Sequence, residues 1–365
     1  MRSSWKSFMA VVIVAQFALP PGFAQFNAAL PGYHYEFPRD FFNHADFQTE
    51  WWYYTGNLEA SDGRKFGFEL TFFRSGVTRD PSKTSTWEVR DLYFAHFAVS
   101  DLDGKTFFYT DRSNRAGPGL AGADESQQKV WNGNWSVVWT SGEERLAALA
   151  GGFSVDLSLR SQKPPIIHGE NGVSQKSSGT GRASHYFSQT RLRASGSLEV
   201  ASKKYEVTGL AWMDHEFFTH QLESNQAGWD WLSLQLGDNT ELMLFHIRRK
   251  DGTIDPFSAG TFVDTQGRSH HLRAGDFQLT PAGETWSSPA THATYPIAWD
   301  IRVPSLGIAL KASTELPSQE LANDSKLVPS YWEGAIELNG KRNSTSIRGR
   351  GYREMTGYDS PVQMP

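Results

Sequence analysis

The sequence contains no cysteine. That excludes disulfide staples, thiolate nucleophiles and cysteine-ligated metals, and leaves stability to the hydrophobic core. A basic surplus is also missing: 35 Lys and Arg stand against 40 Asp and Glu, a formal charge of −5, which is ill-suited to neutralising nucleic-acid phosphates. Beyond the N-terminus, no apolar run approaches the roughly 20 residues that a membrane-crossing helix needs. No Gly-x-Ser-x-Gly marks a serine nucleophile. Gly117-Pro-Gly-Leu-Ala-Gly122 lacks the Lys-Ser or Lys-Thr of a phosphate loop. Helical periodicity is scarce too. Ser141 to Gly151 could form about two turns, and a strand fits there as well.

The N-terminus carries Arg2 and Lys6, an apolar run from Phe8 to Leu19, and then Pro20-Pro-Gly-Phe-Ala24. This is the layout of a cleaved secretory signal over residues 1–24, and the run is too short to remain as an anchor. The expectation is a secreted, periplasmic protein with no stable membrane anchor once the signal is removed.

Aromatic rings are in surplus: 13 Trp, 12 Tyr and 24 Phe, enough to line a ligand cavity as well as a core. After an extended lead-in (25–45), strand signals begin at Glu50. Trp51 to Leu58 and Lys65 to Arg74 flank an Asp62-Gly63 pair typical of a hairpin. Leu92 to Val99 and Lys105 to Thr110 repeat the form around Asp103-Gly104. Lys163 to Lys176, rich in Pro and Gly, reads as a long loop of the kind that often carries function.

The second half of the chain resembles the first. Trp229 to Leu236, a Gly-Asp-Asn turn and Glu241 to Arg248 mirror Trp52 to Leu58, its turn and Phe66 to Arg74. Gly196 to Gly209 followed by Trp212 and Asp214 matches Gly334 to Gly349 followed by Tyr352 and Glu354. A duplicated all-β unit follows, and many short antiparallel strands around aromatic cavities favour barrels. The expected fold is all-β: two tandem lipocalin-like antiparallel barrels packed together with a cleft between them, one over 46–216 and the other over 217–360.

The chemistry concentrates in Trp212-Met-Asp-His-Glu216. On a strand Asp214 and Glu216 share one face and His215 takes the other. In a dry cavity, burial and mutual repulsion would raise a carboxyl pKa and leave a neutral proton donor. The competing reading is structural, with the same residues pairing to Arg and backbone amides at a domain contact. Asp214, His215 and Glu216 are the catalytic candidates. Glu50, Trp51, Trp52, Tyr53, His96, His168, Tyr186, Trp212, Trp229 and Trp231 are the candidates for lining a ligand. His215-Glu216 with His220 does not give the four-residue histidine spacing of a zinc helix, and neither His44 with Asp46 nor the pair His270 and His271 improves on it. No metal or cofactor is expected.

Taken together, His44 to Gly56, Phe66 to Arg74, Lys163-Pro-Pro-Ile-Ile-His-Gly169, Gly209 to Glu216, Gly228 to Leu236 and Gly349 to Tyr358 resemble the carotenoid 1,2-hydratase and AttH family. The resemblance implies paired lipocalin-like domains and, in pigment-making members, addition of water to a terminal isoprenoid double bond without a cofactor. It also implies relatives that hydrate or cyclise hydrophobic substrates, and secreted bacterial members that accompany ABC-type export systems. The chain departs from the family pattern at Phe217-Phe-Thr-His-Gln-Leu222. Two functions follow as expectations. One is a secreted, cofactor-free hydratase- or isomerase-type enzyme in which Asp214 protonates a lipid or isoprenoid-like alkene and His215 or Glu216 orients water. The other is a periplasmic carrier that delivers a hydrophobic small molecule to an ABC-type transporter.

Overall fold

The computed structural model describes residues 26–80, 82, 85, 87–323 and 330–362; the expected signal lies outside them. Among the described residues there is no α-helix, only the short 3-10 turns Arg39–Phe41 and Pro304–Leu306. The first sheet comprises Thr49–Ala60 (β1), Lys65–Gly76 (β2), Asp91–Asp101 (β3), Thr106–Arg115 (β4), Ala121–Asp124 (β5), Lys129–Asn132 (β6), Trp135–Thr140 (β7), Glu143–Ala150 (β8), Phe153–Ser161 (β9), Ile166–Ile167 (β10), Ser174–Gln175 (β11), Ala183–Val200 (β12) and Lys203–Phe218 (β13). The second sheet and a small flanking hairpin comprise Gln226–Leu236 (β14), Glu241–Arg249 (β15), Ala259–Val263 (β16), Ser269–Arg273 (β17), Gln278–Pro281 (β18), Thr285–Ser287 (β19), Thr294–Pro296 (β20), Ala298–Val303 (β21), Ile308–Ser313 (β22), Glu320–Leu321 (β23), Tyr331–Arg342 (β24) and Thr345–Thr356 (β25).

Alternation writes these strands. In β1 and β2, Trp52, Tyr54, Leu58, Phe66, Phe68, Leu70 and Phe72 are buried on one face and form the core of the first sheet. Asp62-Gly63 turns the hairpin with Gly63 at φ +85°, a left-handed conformation open to glycine. The ambiguous 141–151 segment is strand β8: Glu144, Leu146 and Ala148 alternate inward, a period a helix would have scattered around its circumference. The first sheet curls into a nearly closed barrel. Its seam is held by side chains: Asn132 Nδ2 donates to the Tyr93 carbonyl at 3.2 Å, and Arg112 Nη1 to the Asn132 carbonyl at 3.1 Å. The second sheet is a half-barrel, more open than the expected closed one.

Both sheets share one topology. The strand order β3-β2-β1-β13-β12 recurs as β16-β15-β14-β25-β24. Register makes the correspondence exact to the residue. Tyr53 pairs with Asp214 and Trp231 with Glu354; Thr55 pairs with Trp212 and Ser233 with Tyr352. Ser188 pairs with Asp214 and Glu333 with Glu354. Gly209 and Gly349 correspond as expected from the sequence. Gly196, however, corresponds to Gly340 and not to Gly334: it pairs with Val207, and Gly340 with the counterpart Ile347, because the hairpin joining β12 to β13 is longer than the one joining β24 to β25. A Cβ on Gly196 or on Gly340 would lie 2.1 Å from a carbonyl oxygen of the adjoining strand. At Gly209 it would lie 2.0 Å from the Asn57 carbonyl, and at Gly349 2.5 Å from that of Gln235. Gly209→Ala is therefore expected to cost about 1–3 kcal/mol by overpacking, read as a fall in the denaturation midpoint. An unchanged midpoint would show that the β1–β13 approach has slack.

The two sheets pack face to face through β1, β2, β12 and β13 on one side and β14, β15, β24 and β25 on the other. Paired hydrogen bonds mark the contact: Asn57 Nδ2 donates to the Gly351 carbonyl at 3.0 Å, and its counterpart Gln235 Nε2 donates to the Ala211 carbonyl, the counterpart of Gly351, at 2.9 Å. The contact has a local two-fold. The chain changes sheets between Phe218 and Gln226, just beyond the boundary expected after residue 216.

Candidate active site between the two sheets

Residues 211–218 of β13 are buried on both faces, since one side lines the first barrel and the other meets the second sheet. Alternation then sorts the signature. Asp214 and Glu216 face the second sheet, and His215 faces the barrel interior. The expected catalytic group is thereby divided: His215 is on the wrong side of the strand to orient a water for Asp214, and the period of two dictates this.

On the intersheet side, Asp214 is enclosed by donors. Tyr186 donates its hydroxyl to Oδ2 at 2.5 Å, Trp212 Nε1 donates to Oδ1 at 2.6 Å, and the Ser188 hydroxyl also bonds Oδ1. Trp231 Nε1 donates to the Tyr186 oxygen at 3.0 Å. His168, on the long loop, bridges the sheets through Ser188 Oγ at 2.6 Å and Thr261 Oγ1 at 2.8 Å. Burial pushes the Asp214 carboxyl up to about 7 against the lowering effect of those donors. Glu216 is different in kind: it accepts from Ser184 and Gln221 and pairs with Lys176 Nζ at 3.1 Å.

Three further carboxyls occupy the same contact. Glu333 accepts from the Tyr53 hydroxyl at 2.6 Å on Oε1, while its Oε2 is buried without a partner. Burial, followed by the charges of Glu354 and Glu69, holds it well above the usual carboxylate range. Glu69 accepts from Thr71 at 2.6 Å on Oε1, again with Oε2 unpartnered, and burial lifts it to about 7. Glu354 accepts from Trp229 Nε1 at 2.9 Å and is raised to about 8, first by burial. Around them lie Tyr53, Tyr186, Trp212, Trp231 and Tyr352, with partly exposed Trp51 and Trp229 at the rim. Tyr53 and its counterpart Trp231 meet edge to face at 5.1 Å.

Of the expected ligand-lining residues, Trp51, Tyr53, His96, His168, Tyr186, Trp212, Trp229 and Trp231 belong to this contact. Glu50 and Trp52 do not. They face into the first barrel, where Glu50 accepts from Arg74 Nε at 3.0 Å, His44 Nδ1 lies 2.7 Å away and His215 Nε2 2.9 Å away. Burial would raise Glu50, but the charges of His44 and Arg74 and the imidazole hydrogen bonds hold it well below the usual range. His44, Glu50 and His215 each offer a ligand atom within 4.8 Å of the others, so these are the residues that could hold a metal ion. In the sequence His44 with Asp46 makes no metal pair; folding takes His44 to Glu50 and Asp40. His44 lies between these two carboxylates, so both its nitrogens are engaged, and Arg74 already neutralises the second Glu50 oxygen. Phe217, where the sequence departs from the family pattern, stacks on the His44 ring at 3.6 Å.

Residues 28–358 match the family model described as AttH-like. The chain belongs to the AttH-like family. This AttH-like protein is similar to the solved structure of a candidate AttH from Nitrosomonas europaea, with 33% identity over 91% of this chain and 100% of that one and a TM-score of 0.81. It shares its fold with kievitone hydratase from Nectria haematococca (16% identity, 93% and 98% coverage, TM-score 0.70). CghA in complex with Sch210972 has the fold more distantly (12% identity, 93% and 98% coverage, TM-score 0.52). No curated protein matches the chain significantly.

Sequence reasoning missed Glu69, Glu333 and Tyr331 in this AttH-like protein. A signal existed for each. Glu69 interrupts the apolar strand Phe66-Gly-Phe-Glu-Leu, and Glu333 follows the aromatic pair Tyr331-Trp332 as Glu50 precedes Trp51-Trp52.

The raised carboxyls predict a pH dependence. Glu354, Glu69 and Asp214 keep protons in the fold at a pH where the unfolded chain has lost them, so their contribution is complete below about pH 4 and is lost as pH rises through 7 to 8. Groups of opposite sign act lower: Asp40 and Glu50 below about pH 4, and neutral His96, His168 and His215 below about 6.5. The melting temperature should therefore fall between pH 6.5 and 9. Glu354→Gln should flatten that fall, since its share within that window is on the order of 2 kcal/mol. An identical slope in the variant would remove Glu354 from the account.

Proposed function

We propose that this protein is a hydratase that uses its own carboxyl groups to add water to an alkene in a hydrophobic, isoprenoid-like substrate between the two sheets. The observation that carries the proposal is Glu333. Because Oε1 accepts the Tyr53 proton, a neutral Glu333 must carry its own proton on the unpartnered Oε2, inside an aromatic contact. Asp214 has the opposite character, with both oxygens accepting hydrogen bonds, an arrangement that suits the anion. Two carboxyls with environments pushing them apart are the pattern of an acid and a base.

In the proposed step the Oε2–H proton of Glu333 passes to the less substituted alkene carbon and the π pair forms the new C–H bond. The tertiary cation left behind lies against the faces of Tyr53 and Trp231, a contact worth about 2 kcal/mol when desolvated. Water attacks the cation and its surplus proton goes to Asp214. Proton exchange between the two carboxyls as the product leaves resets the site. Asp214, first expected as the proton donor, becomes the acceptor, and His215 takes no part. The likeness to kievitone hydratase is a likeness of fold and supports a reaction of this class without specifying the substrate.

With the N-terminal signal removed, the substrate would be met outside the cytoplasm. Incubation of the purified protein with isoprenoid lipid extracts in 18O-labelled water should give products that have gained one labelled water, detected by mass spectrometry. Ligand extracted with the protein but never labelled would favour the carrier reading, in which the molecule is handed to an ABC-type transporter.

A further inference from the structure

The hydration chemistry leaves part of the intersheet contact unused. Across from Glu333, and on the same face of the contact, Tyr331 lies two residues away on β24 and reaches into the first sheet. Its hydroxyl is 2.5 Å from His96 Nδ1 and 3.5 Å from Glu69 Oε1. His96 and Glu69 are both buried, and each retains an unpartnered polar atom, Nε2 and Oε2.

Glu69 Oε1 accepts from Thr71, so a neutral Glu69 carries its proton on Oε2. Burial keeps His96 neutral, at about 4. The Tyr331 proton is best used in the 2.5 Å contact rather than the 3.5 Å one, which makes Nδ1 the acceptor and leaves the hydrogen on Nε2. Two buried donors thus stand without acceptors beside the proposed acid. An unpaired buried donor costs about 1–3 kcal/mol, and a ligand oxygen would relieve it.

We infer that the intersheet contact takes an oxygenated alkene, whose carbonyl or phenolic oxygen is seated by His96 Nε2–H and Glu69 Oε2–H while Glu333 addresses the double bond. A pure hydrocarbon would leave both donors unpaired. The other half of the molecule offers a contrast: the counterparts of Glu69 and His96 are Met243 and Ala259, which present neither donor. The donor pair is particular to one side of the contact, as a site for one end of an asymmetric ligand should be. This inference rests on the hydratase reading for what the alkene does, but the oxygen seat can be tested without turnover.

The test uses geranylacetone and the same chain with its carbonyl replaced by CH2, each titrated into the full-length mature protein with tryptophan fluorescence as the readout. The ketone should bind about tenfold or more tightly than the hydrocarbon, the ratio expected for one satisfied buried donor. Glu69→Met, which installs the counterpart's own residue and leaves His96 Nε2–H as the remaining donor, should lower the ratio several-fold with the hydrocarbon affinity within about twofold. His96→Leu should do the same; if it fails to fold, Glu69→Met alone decides. Equal affinities in the parent protein, or no binding of either probe, would overturn the inference. Incorporation of 18O without any carbonyl preference would sink the oxygen seat and leave the hydratase standing. Carbonyl preference without incorporation would do the reverse.

Discussion

Glu333→Gln is expected to lose about 100- to 10,000-fold of the hydration rate, the range contributed by a positioned general acid, while the protein folds as before. Glutamine has the shape of the neutral carboxyl and keeps an oxygen to accept the Tyr53 hydroxyl bond. What it cannot do is release a proton to carbon. The substitution also removes a group whose ionisation is opposed by burial and then by the charges of Glu354 and Glu69, so the melting temperature at pH 8 should hold or rise. That combination separates chemistry from architecture, because a purely structural Glu333 would show its effect in stability and not in rate. Rates would be measured by product formation at saturating substrate, with Asp214→Asn alongside. Turnover within about twofold of the parent would remove Glu333 as the acid.

Arg74→Met is expected to cost about 3–5 kcal/mol of stability, the penalty for leaving a buried charge unpaired. Arg74 is fully buried, bonds Glu50 at 3.0 Å and Asp91 at 3.0 Å, and donates to the His44 and Phe47 carbonyls at 2.9 and 2.8 Å. It therefore ties the lead-in to β1, β2 and the start of β3. Glu50→Gln in the same chain should recover part of the loss, since the carboxylate that has lost its guanidinium is then gone. Denaturant unfolding of the single and double variants measures both. A single-variant loss below about 1 kcal/mol would mean the lead-in is held by its aromatic packing alone. At a temperature where Arg74→Met remains folded, its hydration rate should be nearly that of the parent, because this network lies inside the barrel and not between the sheets.

The fold was readable because alternation and turn residues are local properties. Asp62-Gly63 announces its hairpin, Trp51 to Leu58 announces a strand, and the recurrence of aromatic and acid after Gly209 and Gly349 announces a duplication. The bulge at Gln189 to Leu192 was not readable, since a bulge is an agreement between two strands, and neither was the unequal length of the two closing hairpins, which misplaced the counterpart of Gly196. The candidate site was half legible for a related reason. Alternation placed Asp214 and Glu216 together and His215 apart, yet it could not tell which face of β13 would meet the second sheet. Glu69 is separated from Tyr331 and Glu333 by more than 250 residues of chain, and their convergence is a property of docking. His44 shows the same limit from the other side: its nearest acid in the sequence is Asp46, but its partners in the fold are Asp40 and Glu50.

The matched bonds from Asn57 to Gly351 and from Gln235 to Ala211 carry one more consequence. In an isologous contact, where one position meets a second, the counterpart of the second meets the counterpart of the first, so two identical copies of this unit would present each substitution twice. A new pocket would be a pair of pockets. Joining both copies in one chain lifts that constraint. Ser188 can stand where the other half has Glu333, and Met243 where it has Glu69, so that one seam can hold an uneven charge and tell the two ends of a molecule apart.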